Sequence, residues 1–347
     1  MDAVSSLTTS TGLRNPLTAV AYLATGVAIG LGLTLFLLAP RAAATYLTTF
    51  ATISLGIFVE AVPFLLLGTL ASGMVEVFVD QETLARYIPR RALAASFGGA
   101  LLGLAFPVCE CGVVPLARRL FRKGLPLSSG VAFLLAAPVV NPVVLLSTAA
   151  AFGWGGMLAW RVGLSLGIAV LTGLLFASER DPANLLRPLS PSTGFEHDHP
   201  SGTVRTRLGR ALVIAGDEFF EMGRFLVVGA LLAALLQTVV PQSALLRVGG
   251  HPFLSVVAMM GLAFALSLCS TVDSFVALAF TGSSTPPPIL AFLVYGPMVD
   301  IKSTLMLLGV FRRRPVAYLV LLPLLMTLVA TVAINLAGSA LWGGWTR

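Results

Sequence analysis

Cys109, Glu110 and Cys111 stand together in the stretch FPVCECGVVPLARRL, residues 106–120. Two sulfurs flanking one carboxylate combine soft ligands with an acid, and thiolates select soft ions and thiophilic species. A disulfide between cysteines one residue apart would be strained, so both thiols are expected to be free. Cys269, in ALSLCSTVD, is the third cysteine. Alone it reads as a small buried hydrophobe; brought beside the other two it would complete a three-sulfur site. Glu60, Glu110, Glu221, Asp273 and Asp300 are carboxylates set in apolar sequence. Charges at such positions cost about 2.5–3.5 kcal/mol each on insertion scales, so they face a cavity or a partner.

Glu60, Glu110, Glu221, Asp300 and Lys302 are accordingly candidates for proton coupling. The structural alternative is pairing. Glu221 and Arg224, three apart, can share a helix face. Asp300 and Lys302, two apart, cannot face each other on a helix, so each is expected to need another partner. Glu60 has no basic residue near it in sequence. Pro138 and Pro297 each remove one backbone hydrogen bond within a span, and Asn141 and Asp300 follow them three residues later. Freed backbone and half-helix ends are how transporters build sites at the bilayer midplane; the plain alternative is a proline kink. The candidate substrate-binding set is thus Cys109, Glu110, Cys111, Pro138, Asn141, Cys269, Asp273, Pro297 and Asp300.

The elements that must position these groups are membrane helices. Of the 347 residues, 57% are hydrophobic and 11% charged, against about 25% charged in soluble domains. Length allows eight to ten segments of roughly 20 residues. The net charge of +7 comes from short basic clusters between apolar runs, as the positive-inside rule expects, and is not a nucleic-acid footprint. The first apolar run, Leu17 to Leu38, is too long for a signal-peptide core and has no clear cleavage site. Residues 1–16 read as a polar tail, 17–40 as a first transmembrane helix and 46–177 as a first membrane repeat. Residues 178–210 read as a polar cytoplasmic linker, 211–338 as a second membrane repeat and 339–347 as a tail. His197, Asp198 and His199 fall in the linker, where a solvated loop is the simpler reading than a metal site.

The repeat rests on three matches in order. FVEAVPFLLLG pairs with FFEMGRFLVVG, setting Glu60 against Glu221; AFPVCECG pairs with ALSLCSTV, setting Cys109 against Cys269; AFLLAAPVVN pairs with AFLVYGPMVD, setting Asn141 against Asp300, all at an offset of about 160 residues. The basic RRLFRK of the first half corresponds to the uncharged TGSST, and the uncharged AFGWGG to the basic FRRRP. Charge that swaps sides points to inverted repeats. Inversion needs an odd number of crossings per repeat, which follows if the Cys-Glu-Cys stretch and its CSTVD partner are re-entrant hairpins. RRLFRK, the linker and FRRRP would then share the cytoplasmic side. Full spans with parallel repeats, placing FRRRP outside, are the rival. The expected fold class is an all-α polytopic membrane protein of two repeated halves with broken or re-entrant helices at the midplane.

FPVCECGVVPLARRL, followed by AFLLAAPVVNPVVLLS and the FxE…FLLLG segments, resembles the ArsP-type, YraQ-like predicted permease family, over roughly residues 50–336. The resemblance implies a multi-pass permease of the bacterial inner membrane. Some members export trivalent organoarsenicals such as methylarsenite, and trivalent arsenic is thiophilic, as the cysteines would require. The second half carries CSTVD in place of a second CECG, so the two halves of a site would be unequal.

No nucleotide-binding loop, zinc motif or nucleophile–base arrangement is evident; the expectation is a transporter rather than an enzyme, with no cofactor and no metal. Its partners are then a small-molecule or metalloid substrate and the lipid bilayer, with no nucleic acid. Two alternatives stay open: a permease for another solute, with Asn141 and Asp300 binding cargo and the cysteines structural, and a non-transporting membrane subunit acting through its linker.

Overall fold

The computed structural model describes residues 40–79, 91–106, 108–178, 185–187, 204–239, 252–282 and 284–338. The N-terminal tail, nearly all of the first expected span, Pro107, most of the linker with His197, Asp198 and His199, and the C-terminal tail lie outside the described residues. The chain divides at Thr52. Residues 40–52 are the described part of the first unit, entirely helical. Everything else described below lies in the second, Ile53–Arg347.

Among the described residues the regular secondary structure is helical, apart from one isolated bridge, Leu186 with Phe311. The first series is α1 (Pro40–Phe78), α2 (Ala92–Ala105), α3 (Glu110–Arg122), α4 (Leu127–Val140), α5 (Pro142–Phe152) and α6 (Gly156–Phe176). The second is α7 (Val204–Val239), α8 (Pro252–Leu266), α9 (Asp273–Leu278), α10 (Pro286–Met298), α11 (Ile301–Val310) and α12 (Arg313–Leu336). Each begins with a long helix and continues through a short apolar helix and a short helix reached by non-helical backbone. Each closes with a broken pair and a further long helix.

Among the described residues, six helical stretches are long and apolar enough to cross a membrane: α1, α4 with α5, α6, α7, α10 with α11, and α12. This is a multi-pass membrane protein. The short apolar helices α2 and α8 rise only ~21–23 Å at 1.5 Å per residue, less than the roughly 30 Å hydrocarbon core. The two broken stretches are 78% buried in their most apolar windows, whereas the other four are 22–33% buried. The broken stretches therefore form the centre, and the continuous helices turn apolar residues such as Leu55, Val59, Phe220 and Val329 outward. Without a hydrophobic drive between helices in lipid, close backbone approach does the packing. Gly68 of α1 lies against the backbone of Gly112 in α3, where a Cβ would collide.

The Pro/Gly-rich stretch 106–120 breaks at its start rather than throughout. Phe106 and Cys109 have extended backbone, and α3 then runs from Glu110 with Pro115 inside it. Pro115 forfeits only the bond to the carbonyl of Cys111. In α1, Pro63 likewise leaves the helix continuous. Both broken stretches part at the predicted polar residue. Asn141 caps α5 through its side chain, which accepts from the Val143 N–H at 2.8 Å, and Pro142 follows at the favoured first position. Asp300 caps α11 in a reciprocal box with Ser303.

Candidate functional site

The two non-helical tips lie against the two breaks. Asn141 donates its amide to the Val108 carbonyl at 3.2 Å, and the Ile301 N–H donates to the Ser267 hydroxyl at 3.2 Å. Ser267 is held at φ 47°, a left-handed conformation uncommon outside glycine. Across the halves, α3 packs on α11 and α9 packs on α5. Each tip thus joins its own half's break to the other half.

Glu110, first residue of α3, faces Lys302 in the first turn of α11: Lys302 Nζ donates to Glu110 Oε1 at 3.3 Å. The same ammonium lies 3.5 Å from Asp300 Oδ2. All three are at most 3% exposed. Lys302 thus has the other partner that helix spacing called for, yet it also meets Asp300, which that spacing had set apart from it. Asp300 is the cap, with φ −135° and ψ −179°, and so lies outside the helix whose spacing rule was applied to it. Asp300 Oδ1 accepts from the Ser303 N–H at 2.6 Å. Oδ2 has no hydrogen bond among the described residues, nor has Glu110 Oε2. Gly229 of α7 sits over this point, where a Cβ would come 2.9 Å from the Cα of Lys302.

The three thiols converge here. Cys109, Cys111 and Cys269 are free and buried. The Cys109 thiol neighbours those of both Cys111 and Cys269, and Cys269 lies near Glu110. The Thr271 hydroxyl donates to Cys269 Sγ at 3.5 Å. Lys302 lies near Cys111 and Cys269, and Tyr295 near Asp300. Among the described residues no three His, Cys, Asp or Glu side chains are arranged to hold a metal ion. What the arrangement offers is adjacent thiols beside two carboxylates that share one ammonium.

Asp273 belongs to a different cluster. Arg161 of α6, fully buried, donates from NH2 to Asp273 Oδ2 at 2.6 Å and from NH1 to Oδ1 at 3.2 Å. NH1 also reaches Thr148 Oγ1 and Ser274 Oγ, each at 2.8 Å. Ser274 donates to Asp273 Oδ1 at 3.0 Å, so both carboxylate oxygens are engaged. Pro138 is buried inside α4 two residues before its end, and Pro297 inside α10 one residue before its end.

Glu221 does not pair with Arg224. Arg118 of α3 reaches Glu221 of α7 at 2.8 Å, because the last turns of α3 lie against α7, while Arg224 stacks 5.0 Å over the Phe225 ring. Arg119 lies 3.5 Å from Glu218, and Lys123 donates to the carbonyls of Glu76 and Val79 at 2.6 and 2.7 Å. The RRLFRK cluster is therefore largely consumed in internal ion pairs. Glu60, which the sequence comparison set against Glu221, leaves Oε1 without a hydrogen bond among the described residues. Sequence reasoning missed Tyr295, Ser267 and the Thr148–Ser274 contact. Arg161 inside an apolar span was the available signal that Asp273 has a structural partner.

The basic segments gather at one end of this unit. Phe121, beside Arg122, packs edge-on against Phe311 at 5.9 Å. Leu186 bridges the same Phe311, with the Arg312 N–H donating to Leu185 and the Arg187 N–H to Val310. At the other end of α12, Asn335 meets Thr285 of the TGSST segment at 3.3 Å.

Residues 46–336 match the ArsP_1 family, described as a predicted permease. The chain is 44% identical over 295 residues to the UPF0718 protein YcgR of Bacillus subtilis, covering 84% of this chain and 96% of that one. It is 35% identical over 264 residues to a putative two-component membrane permease complex subunit of Streptococcus mutans, covering 76% and 87%. A shorter match, 26% over 89 residues and 26% of each chain, is to the UPF0718 protein YraQ of Escherichia coli. No solved structure matches.

Proposed function

The chain belongs to the ArsP_1 family of predicted permeases, and on that premise we propose that it is a secondary transporter. It exports a small thiophilic substrate such as methylarsenite from the bacterial cytoplasm, coupled to protons. The observation that carries this reading is the meeting of Cys109, Cys111 and Cys269, drawn from both halves, beside the Glu110–Lys302–Asp300 group. A monoalkyl arsenite can exchange its two hydroxyls for two cysteine sulfurs, releasing two waters and leaving the arsenic trivalent. The carboxylates and ammonium carry one spare negative charge, which one proton on the pair neutralises.

The two halves are inverted repeats. Among the described residues each half has three stretches long and apolar enough to span, an odd number of crossings. The approach of RRLFRK, residues 185–187 and FRRRP around Phe311, with TGSST at the far end of α12, supports the same inversion. The basic end is cytoplasmic, and the tips meet near the midplane, where irregular backbone must be covered by protein or line a cavity.

The test is expression in an arsenic-sensitive bacterium. Methylarsenite tolerance should rise with the unaltered chain and fall to background with Cys109→Ser/Cys111→Ser. Unchanged tolerance in either arm ends the substrate assignment. Counterflow in proteoliposomes with and without a pH gradient checks the coupling. The reading in which Asn141 and Asp300 bind cargo has less support, since both side-chain ends of Asn141 are engaged by backbone. A second reading, that the chain is one subunit of a permease complex, draws on the name of the Streptococcus mutans relative. Transport by the purified chain alone would remove it.

A further inference from the structure

A cavity of about 1000 Å³ opens between the last turn of α6 and the first turns of α12, away from the cysteines. Its polar side is Arg312, Arg313 and Arg314, all exposed. Among the described residues no carboxylate lines it, and none forms an ion pair with these arginines. The arginines stand at the start of a 24-residue helix, whose first N–H groups and dipole also favour an anion. Its apolar side is Leu175, Phe176 and Leu322. Leu185, buried, borders it and is held by the Arg312 N–H at 2.8 Å. Tyr318 also lines the cavity and is 59% exposed; tyrosine is enriched at membrane–water interfaces.

The geometry points to a binding site for an anionic phospholipid, its phosphate on Arg312–Arg314 and its acyl chains along Leu175, Phe176 and Leu322. Basic pockets beside membrane helices bind such head groups. A free phosphate would satisfy the arginines but leave the apolar wall uncovered, so the whole cavity matches a ligand with both parts. The site stands apart from the cysteines and carboxylates, so it does not depend on what the transporter carries.

Leu322→Trp, with the four native tryptophans replaced by phenylalanine, places a single reporter in the cavity of the full-length protein in neutral detergent. Brominated phosphatidylglycerol should quench its emission at a several-fold lower mole fraction than brominated phosphatidylcholine. On that background Arg312→Gln/Arg313→Gln/Arg314→Gln should erase the preference, while lysines at the same three positions retain most of it. Native mass spectrometry of the unsubstituted chain, which needs no variant to fold, should find phosphatidylglycerol retained over phosphatidylcholine. Equal quenching by the two lipids, or a preference that survives the glutamines, overturns the proposal. So does inorganic phosphate that displaces the anionic lipid at equal concentration, since the ligand would then be a free anion.

Discussion

Arg161 meets Asp273 and Lys302 meets Glu110 across the same divide between the first and second halves of the chain, both nearly sealed from solvent. At the first, a guanidinium makes four hydrogen bonds to a carboxylate and two hydroxyls, and both carboxylate oxygens are engaged. Only its Nε is left over. At the second, one ammonium at 3.3 and 3.5 Å serves two carboxylates, each of which keeps an oxygen without a hydrogen bond. The choice of cation matters: a planar fork locks one geometry, while an ammonium is a point charge that can shift between acceptors. The first pair resembles a clamp and the second a place where charge can be rearranged, and only the second has thiols beside it.

The largest effect should come from unbalancing the clamp. Arg161→Met leaves Asp273 buried without its cation, which costs about 3–5 kcal/mol in such pairs. Thermal unfolding in detergent should register a large fall. Arg161→Met/Asp273→Asn, which removes both charges, should recover most of it and leave transport in place. A single variant as stable as the unaltered protein would break the distinction between the two pairs.

At the open pair the balance reverses. Glu110→Gln removes the spare negative charge and leaves Asp300 with Lys302 as a neutral pair, so stability should fall by less than the about 3–5 kcal/mol expected at the clamp. Transport should nonetheless fall by roughly tenfold or more, the factor that about 1.4 kcal/mol represents. Proteoliposome flux and unfolding measured on the same preparation separate the two readouts. A variant that loses stability but keeps its flux would make Glu110 a second clamp.

The helical class and the spans were legible because composition and apolar run length respond directly to the lipid solvent. The breaks were legible only approximately: the sequence set them at Pro138 and Pro297, which stay inside their helices, and they fall three residues later, at the capping residues Asn141 and Asp300. Partner choice was not legible. Glu221 looked paired with Arg224 by helix spacing, but Arg118 arrives from more than a hundred positions away. The spacing rule kept Asp300 from Lys302 until the cap's extended backbone was known. Among the candidates, Cys109, Glu110, Cys111, Cys269, Asp300 and Lys302 come together, whereas Asp273 joins the clamp and Glu60 and Glu221 lie elsewhere. Periodicity fixes faces of one helix; contacts between helices depend on how the tips cross, which no local pattern encodes.

The smallest effect belongs to the caps, and it tests whether the tips are held by the breaks. Asn141 accepts from Val143 and donates to Val108, so one side chain both starts α5 and anchors the residue before Cys109. Asn141→Ala removes both and should cost about 1 kcal/mol, the usual worth of an N-cap. Asn141→Ser keeps a capping oxygen but has no amide to reach the Val108 carbonyl, so unfolding should recover the cap's share of the loss. In the second half the cap and the anchor are already separate, since Asp300 caps while Ser267 holds the Ile301 N–H. If the tip's position matters to the thiols, Asn141→Ser should still slow transport while restoring the cap's share of stability. Equal flux in the two variants would mean that the anchor at Val108 contributes nothing beyond the cap.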